Sequence, residues 1–318
     1  MTELINLHYP LTDLPQLNTD QVLAMGFFDG VHRGHQKVIK RAAQVAHDQG
    51  QPLAVLTYSP YPGLVFEKIA QPWHYLTPLA EKVDLLGQLG VDRVYCLQLT
   101  SHVADLDPEA FITGVLQPLR AATVVAGFDH KYGADKYEAD MAHLPTYAKG
   151  RFEVVTVGKE TLDADDRKIA SRQIRADLAA GDLTAVTASL GRVHQTTGLV
   201  VHGDARGRTL GYPTINIWTP ELESLPGLGV YAVRTEVDGH WYDGMASIGR
   251  NITFEANRPV TVEINLFDFA DQVYGETVKI EWHTKLRDEV KFTTVEALID
   301  QLNGDRDQTK EYFQTKAN

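Results

Sequence analysis

The sequence predicts an α/β chain: a doubly wound parallel sheet with helices on both faces, followed by an antiparallel β-barrel and a terminal helix. Three observations carry that expectation. Between residues 22 and 160, short β-branched runs alternate with stretches whose apolar residues recur at helical spacing. Beyond Gly191 the alternation gives way to six strand-like runs separated by glycine-rich or polar turns. The length of 318 residues, with 43% hydrophobic side chains, suffices for two cores.

In the first half Val22–Phe27, Leu53–Tyr58, Arg93–Leu97, Thr123–Gly127 and Phe152–Val157 read as strands. Gly34–His47, Pro78–Leu89, Pro108–Leu119 and Met141–Ala148 read as helices, two of them opened by a proline at the first position. Strand–helix alternation of this kind points to a parallel sheet, whose ligands bind at the carboxyl ends of the strands. Residues 171–190 read as two short helices broken at Gly181-Asp182. The barrel strands are expected at Val193–Val201, Ile215–Trp218, Val230–Val237, Trp241–Ile248, Val260–Phe267 and Val278–His283, with Asp238-Gly239 as a hairpin turn. A helix follows in which Thr293 and Glu296 have capping-box spacing. The domain boundary is expected near 185–190, giving domains 1–187 and 188–318.

A formal net charge of −12 argues against a large nucleic-acid or anionic-membrane surface. No apolar run approaches the ~18 residues of a membrane span. No lysine or arginine precedes Arg33, so no secretory leader is expected. Cys96 is the only cysteine, which rules out an intramolecular disulfide and a cysteine zinc cluster and fits the reducing cytoplasm. Oligomeric state is not legible.

The first candidate site is GFFDGVHRGH, Gly26 to His35, placed between a strand and a helix. A helix starting near Gly34 aims its unpaired N–H groups and positive dipole end into this loop, which suits an anion. Glycines at 26, 30 and 34 allow close backbone approach, and His32 and His35 can donate to phosphate oxygens. On the residues alone, a polar turn and a metal site of His32, His35 and Asp29 stay open beside phosphate binding. The stretch matches neither the dinucleotide fingerprint nor the Walker A loop.

The second candidate begins at Gly203, Gly207 and Gly211, with Arg206 and Arg208 between them, a loop able to wrap a diphosphate. Thr214 and Asn216 lie two apart, so in a strand both face one way and suit Mg²⁺. Glu263 alternates with Val262 and Ile264, and its carboxylate can accept the proton of an attacking alcohol. A glycine-rich hairpin and a solvated glutamate are the plain alternatives.

Taken in order, these motifs resemble the prokaryotic bifunctional riboflavin kinase/FMN adenylyltransferase (FAD synthetase) family. His32-x-Gly34-His35 is similar to the signature of the nucleotidyltransferase superfamily. Leu76-Thr77 with Glu81-Lys82, Gly90-Val91-Asp92, Leu106-x-Pro108-Glu109-x-Phe111 and Gly127-Phe128-Asp129-His130-Lys131-Tyr132-Gly133 resemble further family segments. Gly191-Arg192-Val193, Val201 to Asp204, Gly207 to Gly211, Pro213-Thr214-x-Asn216, Gly229-Val230-Tyr231, Tyr274-Gly275 and Arg287 with Phe292 resemble the kinase module. Three departures stand out. Ala170 and Arg172 replace two hydroxyl residues of the S-S-T-x-I-R stretch, here Ala170 to Arg175, and Tyr61 stands where a P-H-P histidine is common. In the barrel half, Ile215 replaces a frequent alanine and Ile252 a usual proline.

The resemblance implies a nucleotidyltransferase-like sheet and a riboflavin-kinase-like barrel that convert riboflavin to FMN and FMN to FAD, with ATP as co-substrate. It implies ATP-phosphate contacts for Gly26, Phe28, Asp29, Gly30, Gly34, Ser171 and Arg175, with His32 and His35 stabilising departing pyrophosphate. In the kinase it implies phosphate contacts for Gly203, Gly207, Arg208 and Gly211, and Mg²⁺ on Thr214 and Asn216. Glu263 is implied as the base, and Asp129 and Arg287 as flavin contacts. A divergent member with only the kinase active, and a non-catalytic flavin-binding regulator, are the alternative readings.

Overall fold

The computed structural model describes residues 2–69, 72–162, 167–203, 206–220, 222–250 and 260–317; Ile252 lies outside them. Two compact units divide the chain: residues 1–73 with 77–170, and residues 74–76 with 171–318.

The first unit is a six-stranded parallel sheet of β1 (Glu3–Leu7), β2 (Gln21–Met25), β3 (Leu53–Ser59), β4 (Arg93–Gln98), β5 (Ala121–Gly127) and β6 (Glu153–Val157). Its order is β1-β4-β3-β2-β5-β6, with every neighbouring pair parallel. All five residues of β2 are buried, as a central strand covered on both faces requires. The chain moves outward from β2 through β3 and β4, then returns to the other side of β2 for β5 and β6. The carboxyl end of β2 is therefore the topological switch point. One face buries the 33–49 helix through Val38, Ile39, Ala42, Val45 and Ala46. Phe111, Ile112, Val115 and Leu116 pack in the opposite core. That last segment, expected as one helix, is an α-turn at Pro108–Phe111 that widens into a π-helix at Ile112–Leu116. Strand β1 was not expected: only Leu7 of its five residues is buried, and an edge strand with little burial carries no strong apolar pattern. A short antiparallel pair of β7 (Thr161–Leu162) and β8 (Arg167–Lys168) completes the unit.

The second unit opens with helices Ser171–Ala180 and Leu183–Leu190, the latter capped by Asp182, whose carboxylate accepts from the Ala185 N–H at 3.0 Å. Strands β9 (His194–Val201), β10 (Ile215–Trp218), β11 (Gly229–Val237), β12 (His240–Gly249), β13 (Thr261–Leu266) and β14 (Thr277–Arg287) close an antiparallel barrel in the order β10-β13-β12-β11-β14-β9. Trp282 is fully buried, its indole N–H donating to Thr196 Oγ1 at 2.8 Å. The terminal helix runs Val295–Ala317, and its cap is Thr294, whose hydroxyl accepts from the Ala297 N–H at 3.2 Å, one residue beyond the expected Thr293. Asp305 on this helix is 1% exposed and takes the Arg287 guanidinium at 2.8–3.0 Å, pinning the helix to the end of β14.

Candidate functional sites

GFFDGVHRGH leaves the end of β2 in a tight path: Phe28, Gly30 and Val31 all have positive φ, at 54°, 88° and 38°. Phe28 folds back over Gly26, where a Cβ would stand 2.7 Å from the ring, so only glycine fits there. His32 caps the 33–49 helix: its Nδ1 accepts from the His35 N–H at 3.2 Å. With Nδ1 accepting, the neutral ring carries its proton on Nε2, the tautomer that donates to an anion. The His32 and His35 rings stack at 3.5 Å, and Phe28 meets His35 edge-on at 5.3 Å. The loop is thus pre-shaped for the anion role expected of a helix start.

Neighbouring segments hold this loop. Asp29 is buried and its carboxylate accepts the Thr77 N–H at 3.1 Å. The Phe27 carbonyl accepts both the Thr57 hydroxyl at 2.9 Å and the buried Lys82 ammonium at 2.8 Å. For Lys82, the only sequence signal is the family-like segment that contains Glu81-Lys82. Tyr61 stacks on Trp73 at 3.9 Å and lies tilted against Phe27 at 5.3 Å, so the residue in place of the P-H-P histidine joins an aromatic cluster beside the loop. Asp129, beyond the end of β5, is exposed, while burial pulls the adjacent His130 down to about 4 against the opposite pull of Asp129.

Ser171 and Arg175 belong to the second unit. Ser171 is the first residue of its helix, and the preceding position is Ala170, which has no side-chain acceptor to cap it. Within that unit Arg175 donates to the carbonyls of His74 and Ser171 at 3.4 and 3.3 Å.

In the barrel, Asn216 of β10 pairs directly with Glu263 of β13, and the Thr214 hydroxyl donates to the Glu263 carboxylate at 3.4 Å. The three expected residues therefore meet at two adjacent strands, with Thr214 immediately before β10. Asn265, two residues further along β13, is 8% exposed and donates to the Pro213 carbonyl at 2.7 Å, fixing the turn that delivers Thr214. Gly203 abuts Asn216 so closely that a Cβ would fall 2.2 Å from the amide carbon. Arg208 and Thr214 line a cavity of about 420 Å³ together with Ile264, Leu266, Phe269 and Tyr274. Tyr274 is in turn stacked on His202 at 3.8 Å. In the sequence Tyr274 is marked only as part of a family segment, and nothing marks Phe269. Thr214, Asn216 and Glu263 offer only hard oxygen donors, which fits a cation that keeps waters and substrate phosphates as its other ligands. Among the described residues no cluster of three or more His, Cys, Asp or Glu forms an all-protein metal cage. Arg287, expected near the flavin, has its guanidinium held by Asp305 and its face 5.7 Å from the Phe292 ring.

A parallel sheet with a histidine loop at its switch point, joined to a closed barrel with paired Asn and Glu, defines a two-module nucleotide-handling protein. Comparison with known families agrees module by module: residues 14–173 match the FAD synthetase family and residues 190–313 the riboflavin kinase family. The chain belongs to the family of bifunctional riboflavin kinase/FMN adenylyltransferases. Relatives with that name include one from Listeria monocytogenes, 45% identical over 97% of this chain and 98% of its own, and one from Bacillus subtilis, 38% identical over the same shares. The Escherichia coli K12 relative is 32% identical over 92% of each chain. Among solved structures, a Streptococcus pneumoniae protein described as a macrolide-efflux protein matches with a TM-score of 0.88 at 33% identity, over 96% of this chain and 99% of that one. No helix among the described residues is long and apolar enough to cross a membrane.

Proposed function

We propose that this chain phosphorylates riboflavin to FMN and then adenylylates FMN to FAD, with phosphorylation in residues 188–318 and adenylyl transfer centred on residues 1–187. The observation that carries the kinase assignment is Asn216 opposite Glu263, with Thr214 3.4 Å from the same carboxylate. Glu263 takes the proton of the riboflavin 5′-hydroxyl as that oxygen bonds to the γ-phosphorus of ATP. The bond from that phosphorus to the bridging oxygen breaks, and ADP leaves. Thr214 and Asn216 would hold Mg²⁺, which neutralises charge on the phosphates. Arg208 and the backbone around Gly203, Gly207 and Gly211 bind the remaining phosphate oxygens.

For adenylyl transfer, an FMN phosphate oxygen attacks the α-phosphorus of a second ATP, and pyrophosphate departs with the electrons of the broken P–O bond. His32 and His35 donate to the departing oxygens from the start of a helix whose dipole favours anions, and the loop glycines let the backbone reach them. Arg175, Ser171, Asp129 and Arg287 carry the roles the family resemblance implies for them. Small molecules are the partners, since the net charge of −12 disfavours nucleic acid. The buried lone cysteine suits the cytoplasm.

Side-by-side chromatography of products from riboflavin and from FMN, each with ATP and Mg²⁺, tests both halves. Glu263→Gln is expected to abolish FMN formation and leave FAD formation from FMN largely intact; equal loss of both in a folded variant refutes the division of roles. A kinase-only reading is favoured by Ala170, Arg172 and Tyr61, and FAD formed from FMN by the purified chain eliminates it.

A further inference from the structure

Lys82 stands apart from the side chains given a role above. It is 2% exposed, yet among the described residues no carboxylate lies within ion-pairing distance of its ammonium. Its Nζ donates to the Phe27 carbonyl at 2.8 Å, reaches Thr57 Oγ1 at 3.5 Å, and lies 4.5 Å from the centroid of the Phe27 ring. All of these partners are neutral. The Phe27 carbonyl already accepts the Thr57 hydroxyl at 2.9 Å, so the backbone there is satisfied without a cation. A buried charge with no counter-ion in contact is costly, and an apolar side chain of similar length would serve packing better. Two titratable groups act on the ammonium, Asp29 from the loop and Cys96 from β4. Both are outweighed by burial, which pulls it below the ordinary lysine range. A buried lysine whose direct partners are all neutral, beneath a candidate anion loop, marks a functional position.

We infer that Lys82 is a positioning residue for adenylyl transfer: a buried cation that grips the histidine loop through the Phe27 carbonyl and finds its counter-charge in the polyphosphate of the bound nucleotide. The inference rests on the adenylyltransferase reading above. In a site of low dielectric the ammonium acts on phosphate without touching it, and the loop it grips is the one that carries Asp29, His32 and His35. The ligand class it selects is a polyanionic nucleotide, not a nucleoside.

The test compares Lys82→Met and Lys82→Gln with Thr57→Val in the full chain, with circular dichroism and thermal melting as the check on folding. KM for ATP and kcat are measured in FMN-to-FAD conversion, together with inhibition of that step by adenosine, which has base and sugar but no phosphate. KM for ATP is expected to rise about tenfold in both Lys82 variants while adenosine inhibition is unchanged, and Lys82→Arg to recover most of the loss. Thr57→Val, which removes only the neutral donor, is expected within about threefold of the parent on each readout. Equal effects of Lys82→Met and Thr57→Val on KM for ATP overturn the inference, because the lysine then only shapes the loop. Parallel loss of ATP and adenosine affinity overturns it as well. If Lys82→Met fails to fold by these measures, Lys82→Gln, which keeps a donor for the Phe27 carbonyl, decides by the same comparison. A parent chain that makes FMN but no FAD overturns the adenylyltransferase reading itself, whereas a null result beside a FAD-forming parent overturns the role of Lys82 alone.

Discussion

In the proposed mechanism His32 would do two jobs with one ring, and they can be separated. As helix cap, its Nδ1 accepts the His35 N–H; as the proposed phosphate donor, it would use the other nitrogen. Loss of a cap costs about 1 kcal/mol, and asparagine caps as well as any residue. His32→Asn is therefore expected to keep the melting temperature of the parent while FAD formation falls more than about 100-fold, whereas His32→Ala loses both. Calorimetry and product chromatography check the pair, and a His32→Asn variant that still makes FAD removes His32 from the phosphate site. His194 supplies a pH prediction. It is 1% exposed, Nε2 lies 2.9 Å from the Ser224 carbonyl, and burial pulls its pKa down to about 4. The folded state thus holds it neutral, while the unfolded chain protonates it near 6.5. Its contribution, on the order of 3 kcal/mol, is complete above about pH 6.5 and is lost as pH falls from there towards 4. Melting temperature measured between pH 7.5 and 4.5 should show this decline, and His194→Gln should flatten it.

At the scale of elements, a buried ion pair anchors the terminal helix. Asp305 takes the Arg287 guanidinium from two sides and is also held by the Gln301 amide at 2.8 Å. Removing one partner leaves the other charge buried, which costs about 3–5 kcal/mol. Asp305→Ala is expected to lower the melting temperature of the barrel and to raise KM for riboflavin, since Arg287 no longer has a fixed position. Unchanged melting would mean that the pair is solvated in solution. The glycine loop has a similar element-level logic: Tyr212 donates to Asn303 Oδ1 at 2.6 Å, tying the start of the Thr214 strand to the same helix.

For the whole molecule, where the chain divides into working parts is open to experiment. Helix Leu183–Leu190 buries Leu183, Val186 and Leu190, and it contacts β9 and β14 within the second unit. In the preceding helix the Ala179 carbonyl lies where a Cβ on Gly227 would clash at 2.1 Å. A fragment beginning at residue 188 cuts the first of these helices and omits the second. A fragment 171–318 is therefore expected to melt several degrees above 188–318, because exposing two or three apolar side chains costs several kcal/mol. Equal melting would place the working boundary at 187/188.

Much of this was legible in the chain itself. Strand and helix periodicity locates the sheet and the barrel, because burial on one or both faces imposes a period on the residues. Spacing alone predicts that Thr214 and Asn216 share a face, and the ordered motifs point to the family. Tertiary structure alone decides the partners that lie far apart in sequence: Glu263 opposite Asn216, Asp305 on Arg287, and Lys82 beneath Phe27. Edge strand β1 and the true cap Thr294 were hidden for a local reason, since little burial and adjacent threonines leave no distinct pattern. A period reports which face a residue occupies, whereas the identity of its neighbour across strands depends on register and chain return, which no local pattern encodes.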